Sequence, residues 1–200
     1  SGASSHKFSS GSFTEGRIAA KAALKYVLEH PDEPQVDMAA VEAMREKILA
    51  PLDLFEQHKG ASTDPDINPN YLRPKMAMFR LQKIMDEYAG GVSTNFTCSK
   101  HSLEKALELL AMLKEDLELL AAEDLHELLR CWENVHRTWQ AEVHVRTMLF
   151  RQETRWPGYY FRSDCPTMNE EEWKVFVNSR WNPETGEWEM SKKPIHRIFV

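Results

Sequence analysis

The first residues hold the densest set of groups able to do chemistry. Ser4, Ser5, His6, Lys7, Ser9 and Ser10 crowd together, and Gly11-Ser12-Phe13 follow just before Ile18-Ala19-Ala20-Lys21-Ala22-Ala23-Leu24 sets up a helical pattern. A glycine- and serine-rich loop that opens a helix offers backbone N–H groups without carbonyl partners at the positive end of the helix dipole. Such a place receives an anion or an electron-rich carbonyl. His6 adds a group that takes or gives a proton near neutral pH. Taken alone, a loop of this kind is more often a capped surface turn, and a lone histidine is more often structural or merely exposed. The loop stands at the start of a chain whose first residue is Ser1 rather than Met. A binding site there has nothing upstream to complete it, so the expectation is a piece of a longer polypeptide.

The second informative stretch is Arg151-Gln152-Glu153-Thr154-Arg155-Trp156-Pro157-Gly158-Tyr159-Tyr160-Phe161-Arg162-Ser163-Asp164-Cys165-Pro166, with Trp173 after it. Alternating arginine and acid in a Pro/Gly-rich segment is expected to hold a domain junction together through bidentate Arg–carboxylate bonds. Other candidates carry less. Cys98, Cys131 and Cys165 lie more than 30 residues apart, without the Cys-x-x-Cys spacing of a zinc or iron–sulfur site, and suit a reducing cytoplasm. His136 and His144 share a helix face without an i+4 partner and read as surface or interface residues. Trp132 and Trp139 read as packing. Glu170 to Glu172 read as a solvated face.

Composition narrows the partners. The formal net charge of −6 argues against non-specific binding to nucleic acid or a membrane surface, both of which need a basic face. No apolar run approaches the ~18–20 residues that span a bilayer. A content of 42% hydrophobic and 28% charged residues is that of an ordinary soluble domain.

The elements that must position these groups are mostly helical. A first helix is expected from about Thr14 to Glu29, ended by Pro31 and Pro34. Asp37 caps a second, carrying Met38, Val41, Met44, Ile48, Leu49 and Leu52, which Pro51 should kink or split. The turn-rich loop from His58 to Asn70 leads to a third helix from about Tyr71 to Tyr88, stopped by Gly90-Gly91. A fourth spans about Ser102 to Ala121. A fifth starts at Asp124, with Glu127 placed for a capping box, and reaches Phe150. The last three have the 3–4 spacing of one buried face and should pack as an antiparallel bundle. Beyond Arg151 a short helix from Asn169 to about Val175 and two short strands, Val175 to Trp181 and Gly186 to Met190, complete the chain. The expectation is a mainly α fold: residues 1–30 as a loop and helix, 31–150 as a helical bundle, and 151–200 as an irregular segment with a short hairpin.

The two motifs together resemble the succinate dehydrogenase/fumarate reductase flavoprotein family. There a Gly-Ala-Asn-Arg-Leu-Gly-x-Asn-Ser-Leu loop closes the FAD-binding domain. A three-helix domain follows, then Arg-x-Glu-Ser-Arg-Gly-x-His-x-Arg-x-Asp-x-Pro with a Trp soon after. Gly2-Ala3 and Ser10-Gly11-Ser12-Phe13 match the ends of the first motif, with two extra residues between. Arg151, Glu153, Thr154, Arg155, Gly158, Arg162, Asp164, Pro166 and Trp173 match the second, with Trp156-Pro157 inserted.

The resemblance implies that residues 1–30 are the last loop and helix of an FAD-binding domain, with the amides near Ser9, Ser10, Gly11, Ser12 and Phe13 facing the flavin and His6 on its substrate side. Dicarboxylate enzymes of the family need an arginine in this loop to clamp a substrate carboxylate. Here Ser4, Ser5, His6 and Lys7 occupy it, and Tyr160 stands where the second motif usually has His. The wording is closest to a branch acting on sulfur. That branch implies reversible two-electron reduction of adenosine 5′-phosphosulfate to sulfite and AMP. Electrons would come from an iron–sulfur beta subunit carrying [4Fe-4S] clusters. The chain has no Gly-x-Gly-x-x-Gly unit for the FAD pyrophosphate, so by itself it is expected to bind neither FAD nor substrate well. Two rival readings stand beside this one: a dicarboxylate flavoprotein like fumarate reductase or aspartate oxidase, and a helical assembly module without chemistry of its own.

Overall fold

The computed structural model describes residues 10–60 and 71–195; of Ser10 and Gly11 it describes the backbone alone. The chain divides into two units, Ser1–Met44 and Arg45–Val200.

In the first unit, helix α1 runs from Ser10 to Glu29. It starts four residues ahead of the expected Thr14, because serine and glycine are well tolerated in a first turn that needs no side-chain packing. Asp37 caps helix α2 (Met38–His58), as expected: its Oδ1 accepts from the N–H groups of Ala39 and Ala40.

Helix α2 runs unbroken through Pro51, so the split expected there as an alternative to a kink is not seen. Proline removes one ladder bond in a helix interior. Two tertiary bonds secure the helix at that point: Ala122 N–H donates to Pro51 O at 2.8 Å, and Trp132 Nε1 donates to Ile48 O at 3.0 Å.

The second unit is a bundle. Helices α3 (Pro74–Tyr88), α4 (Lys100–Asp116) and α5 (Leu125–Phe150) pack on one another pairwise, and Leu49 and Leu52 of α2 close over the same core. Leu103, Ala106, Leu110 and Leu113 of α4 are wholly buried, and Leu81, Ile84, Leu128, Val145 and Met148 meet them from α3 and α5. Each fully buried leucine contributes about 1.5–3 kcal/mol.

Pro74 opens α3, where its missing N–H costs nothing. Gly90, with φ at +77°, ends it. A Cβ on Gly91 would collide with the Asp86 backbone, so only glycine lets the chain fold back there. Helix α4 starts two residues before the expected Ser102, through a reciprocal capping box between Ser99 and Ser102. The box expected on α5 is only half made. Asp124 accepts from Glu127 N–H at 2.8 Å, but the Glu127 carboxylate accepts from Glu123 N–H rather than from Asp124.

Beyond the bundle, two-residue strands β1 (Thr97–Cys98) and β2 (Phe161–Arg162) pair in parallel. A short helix α6 (Glu170–Trp173) is capped by Asn169. Strands β3 (Val175–Asn182) and β4 (Glu187–Pro194) form an antiparallel hairpin with Trp181 opposite Trp188. Both strands are longer than expected, β4 by four residues at its end. Trp181 and Trp188 pack on Trp139 of α5, with centroids 5.2 and 6.4 Å away, which fixes the hairpin to the bundle.

Candidate functional site

His6 and Ser9 lie outside the described residues. Ser10, Gly11, Ser12 and Phe13 are the first four residues of α1. Ser10 and Gly11 precede the point where a helix supplies its own carbonyl partners. The first turn carries no acidic side chain. Phe13 is 81% exposed.

The helix behind this turn is unusual for a surface element. Between Ile18 and Leu28 its charges are Lys21 and Lys25, which share one edge. At 100° per residue, that leaves roughly three quarters of the circumference apolar. Ile18, Leu24, Tyr26, Val27 and Leu28 are all more than 60% exposed. A helix apolar nearly all round is one that a larger body encloses.

The arginine motif is a clamp. Helix α5 ends at Phe150, and its last carbonyls have no partners within the helix. The Arg162 guanidinium, buried to 1% exposure, reaches two carbonyls at this end: Nη1 donates to Met148 O and to Arg151 O. Its other edge holds Asp164 in a bidentate pair at 2.8 and 2.6 Å. A cation at a helix C-terminus also opposes the negative end of the dipole. Hydrogen bonding to Arg162 holds the Asp164 carboxyl below the usual carboxylate range, and the same pair raises the Arg162 guanidinium.

Glu153 is the second hub. Its carboxylate is fully buried and accepts two bonds from Arg155, one from Arg151 and one from Asn169 N–H. Burial pushes this carboxyl up, but the bonds to Arg155, Asn169 and Arg151 outweigh it, and the group sits below its ordinary range. Arg151 then donates to Trp173 O and Val175 O, and Arg155 to Glu170. The motif thus ties the end of α5 to α6 and to the first residue of β3, the junction role that charge alternation predicts.

Tyr160 belongs to the clamp too. It is half-buried, its hydroxyl donates to Met148 O at 3.2 Å, and burial pushes it up to about 12. In this chain a tyrosine at that position caps a helix end.

The expected minor roles sort out similarly. Trp132 is half-buried against the core, and Trp139, 42% exposed, anchors the hairpin. Glu170 pairs with Arg155 and Lys174, and Glu172 with Lys192, so the acidic run is bound as well as solvated. Among the described residues no group of three or more His, Cys, Asp or Glu side chains is placed to hold a metal, and no helix is long and apolar enough to cross a membrane.

A cleft of about 800 Å³ that the sequence reading did not anticipate lies between α2, the end of α4 and α5. Pro51, Leu54, Leu117, Trp132 and Trp139 line it, with Lys47 and Lys114 among its polar residues. The signal for it was the i, i+7 spacing of the two tryptophans, which is also that of a packing stripe.

These elements define a flavoprotein C-terminal domain: residues 78–199 match the family model described as fumarate reductase flavoprotein C-term, and the chain belongs to that family. Within it, the chain is 46% identical over 198 residues to the adenylylsulfate reductase subunit alpha of Megalodesulfovibrio gigas, covering 99% of this chain and 30% of that protein. It is 57% identical, with a TM-score of 0.88, to the solved adenylylsulfate reductase of Archaeoglobus fulgidus and to an adenosine-5-phosphosulfate reductase solved with sulfite as a covalent adduct. In both, 96% of this chain aligns with 30% of the other. The Mycobacterium smegmatis Sdh1 complex, 21% identical with a TM-score of 0.63 over 88% of this chain and 27% of the other, shares the fold. The chain therefore spans about a third of the length of these relatives.

Proposed function

We propose that the chain is the C-terminal part of an FAD-dependent adenylylsulfate reductase alpha subunit, which interconverts adenosine 5′-phosphosulfate with sulfite and AMP by two-electron transfer. What carries this reading is identity of 46–57% along nearly the whole chain to adenylylsulfate reductases, one of them solved with sulfite. The loop residues that set the chain apart from dicarboxylate enzymes, Ser4, Ser5, His6 and Lys7 in place of an arginine, agree with it.

FAD, when bound, supplies the two-electron redox chemistry. The start of α1 fits its ring: Ser10, Gly11 and Ser12 open the helix at its positive dipole end, with no acid in the first turn. With Ser9 and Phe13 they would bind the electron-rich pyrimidine edge and favour its reduced, anionic form. His6 would lie on the substrate side, orienting the sulfo group or exchanging a proton with the leaving phosphate. The apolar circumference of α1 supports placing residues 1–30 inside the flavin-binding domain, with residues 31–150 as the bundle and 151–200 as the clamped C-terminal segment. Electrons would pass to and from an iron–sulfur beta subunit with [4Fe-4S] clusters, in the cytoplasm.

The test is His6→Ala in the full-length protein, assayed as sulfite- and AMP-dependent electron transfer. Loss of one acid–base group costs about 10²–10⁴-fold, so kcat should fall within that range while the bound flavin, read by its visible absorbance, is retained. Unchanged kcat would overturn the assignment of His6.

A further inference from the structure

Strands β3 and β4 form a sheet of two strands, so among the described residues the outer edge of each has no ladder partner. A row of backbone N–H and C=O groups left this way is a template for another strand. Side chains alternate along β4. Trp188 packs on Trp139, and the Lys192 ammonium lies 3.5 Å from the Trp173 centroid, so Trp188, Met190 and Lys192 share the face turned to the helices. Glu187, Glu189, Ser191 and Lys193 share the outward face, and all four are exposed. Charge on an edge strand ordinarily deters pairing. On β4 the charges are sorted by sign: both acids come first, and Lys192 and Lys193 come last. Strand β3 has no such order, with Arg180 as its one charge.

We propose that β4 pairs antiparallel with β4 of a second copy of the chain, across a two-fold axis at Met190, making a four-stranded sheet in the order β3, β4, β4, β3. A two-fold interface must be self-complementary. A strand with acids at one end and bases at the other meets that condition only when it runs antiparallel to itself. Directly opposed residues share a face of the sheet. Centred on Met190, the pairing sets Glu187 opposite Lys193 of the second copy and Glu189 opposite Ser191 of the second copy, and the symmetry repeats both. No like charges are opposed. A parallel arrangement would set acid against acid and base against base. The ladder uses Glu187 to Lys193 and leaves out Pro194, which has no N–H to donate. The gain for the hairpin is real, since two strands alone are at best marginally stable and further strands add to them. A strand of another protein could supply the backbone groups, but a second copy is certain to carry the matching order of signs. Every residue involved lies between Val175 and Pro194, so the inference stands apart from the flavin reading.

Charge reversal tests this in the full-length protein by sedimentation equilibrium. The wild type should dimerise. Glu187→Lys and Lys193→Glu each oppose like charges at two symmetric places, and each should raise the dimer dissociation constant at least about tenfold. The double variant restores opposite signs and should return to within about threefold of wild type. Mixed in equal amounts, the two single variants should dimerise with each other, because every opposed pair is then one acid and one base. Both side chains are exposed, so circular dichroism of each variant should match the wild type. A variant that fails this is replaced by the milder Glu187→Gln or Lys193→Gln, expected to weaken the dimer about threefold. A wild type that stays monomeric to about 100 μM would overturn the proposal. So would a dimer that both reversals leave unchanged, or natively folded single variants that do not associate when mixed. Reversals that spare the dimer and instead weaken binding of a different subunit would give the edge to that subunit and overturn it too.

Discussion

Arg162 is charged, buried and nearly surrounded, and its partners explain why this is tolerable. Two carbonyls at the end of α5 and both oxygens of Asp164 take its protons. Removing one member of such a group leaves the others desolvated and unpaired, which costs about 3–5 kcal/mol. Arg162→Met should lower stability by about that amount in chemical unfolding. Arg162→Lys should recover only part of it, because an ammonium cannot make the bidentate fork. The two hubs also set an acid limit. Glu153 and Asp164 both sit below their ordinary range when folded. Each therefore binds fewer protons in the folded chain than in the unfolded one. The stability they contribute is complete above about pH 4.3, the unfolded value of a glutamate, and is lost as pH falls through the lower folded values. Thermal unfolding at a series of pH values should show a steep loss below about pH 4, and Glu153→Gln should flatten it. Burial pushes the Cys98 and Cys131 thiols up to about 11 and 12. Maleimide should accordingly modify the half-buried Cys165 in the folded protein, and all three cysteines only after unfolding.

At the scale of elements, the sharp turn after α3 and the hairpin are the exacting parts. Gly91 has the Asp86 backbone where a side chain would start, so Gly91→Ala must move the turn. It should cost about 2 kcal/mol or more, whereas Gly60→Ala, with open space around it, should be near neutral in the same measurement. The bundle was legible because Leu103, Ala106, Leu110 and Leu113 repeat with the helical period. The caps at Asp37 and Asp124 were legible because their side chains act within three residues. Pairing of β1 with β2 was not, since two-residue strands leave no alternation to read. The unbroken course of α2 through Pro51 was not either: proline reads as a helix breaker, and the tertiary bonds at that point come from Ala122 and Trp132, 71 and 81 residues further along the chain than Pro51. Of the candidate site, Ser10 to Phe13 read as a loop ahead of Thr14, because glycine and serine mark loops, whereas they form the first turn of α1. The arginine motif was legible as a junction. Its service as the cap of α5 depends on where that helix ends in space, and spacing alone does not give that.

At the scale of the whole molecule, α1, a helix apolar nearly all round, is the feature that calls for a larger body. It agrees with a chain that aligns with 30% of its adenylylsulfate reductase relatives. The proposed substrate rests on the opening loop, where His6 and Lys7 stand in place of a carboxylate-clamping arginine. The direct measurement is made on the full-length, flavin-loaded protein under anaerobic conditions. Sulfite with AMP and, separately, succinate are added while the flavin absorbance is followed. The account predicts that sulfite with AMP bleaches the flavin band and that succinate leaves it unchanged. Bleaching by succinate, with no response to sulfite and AMP, would contradict it.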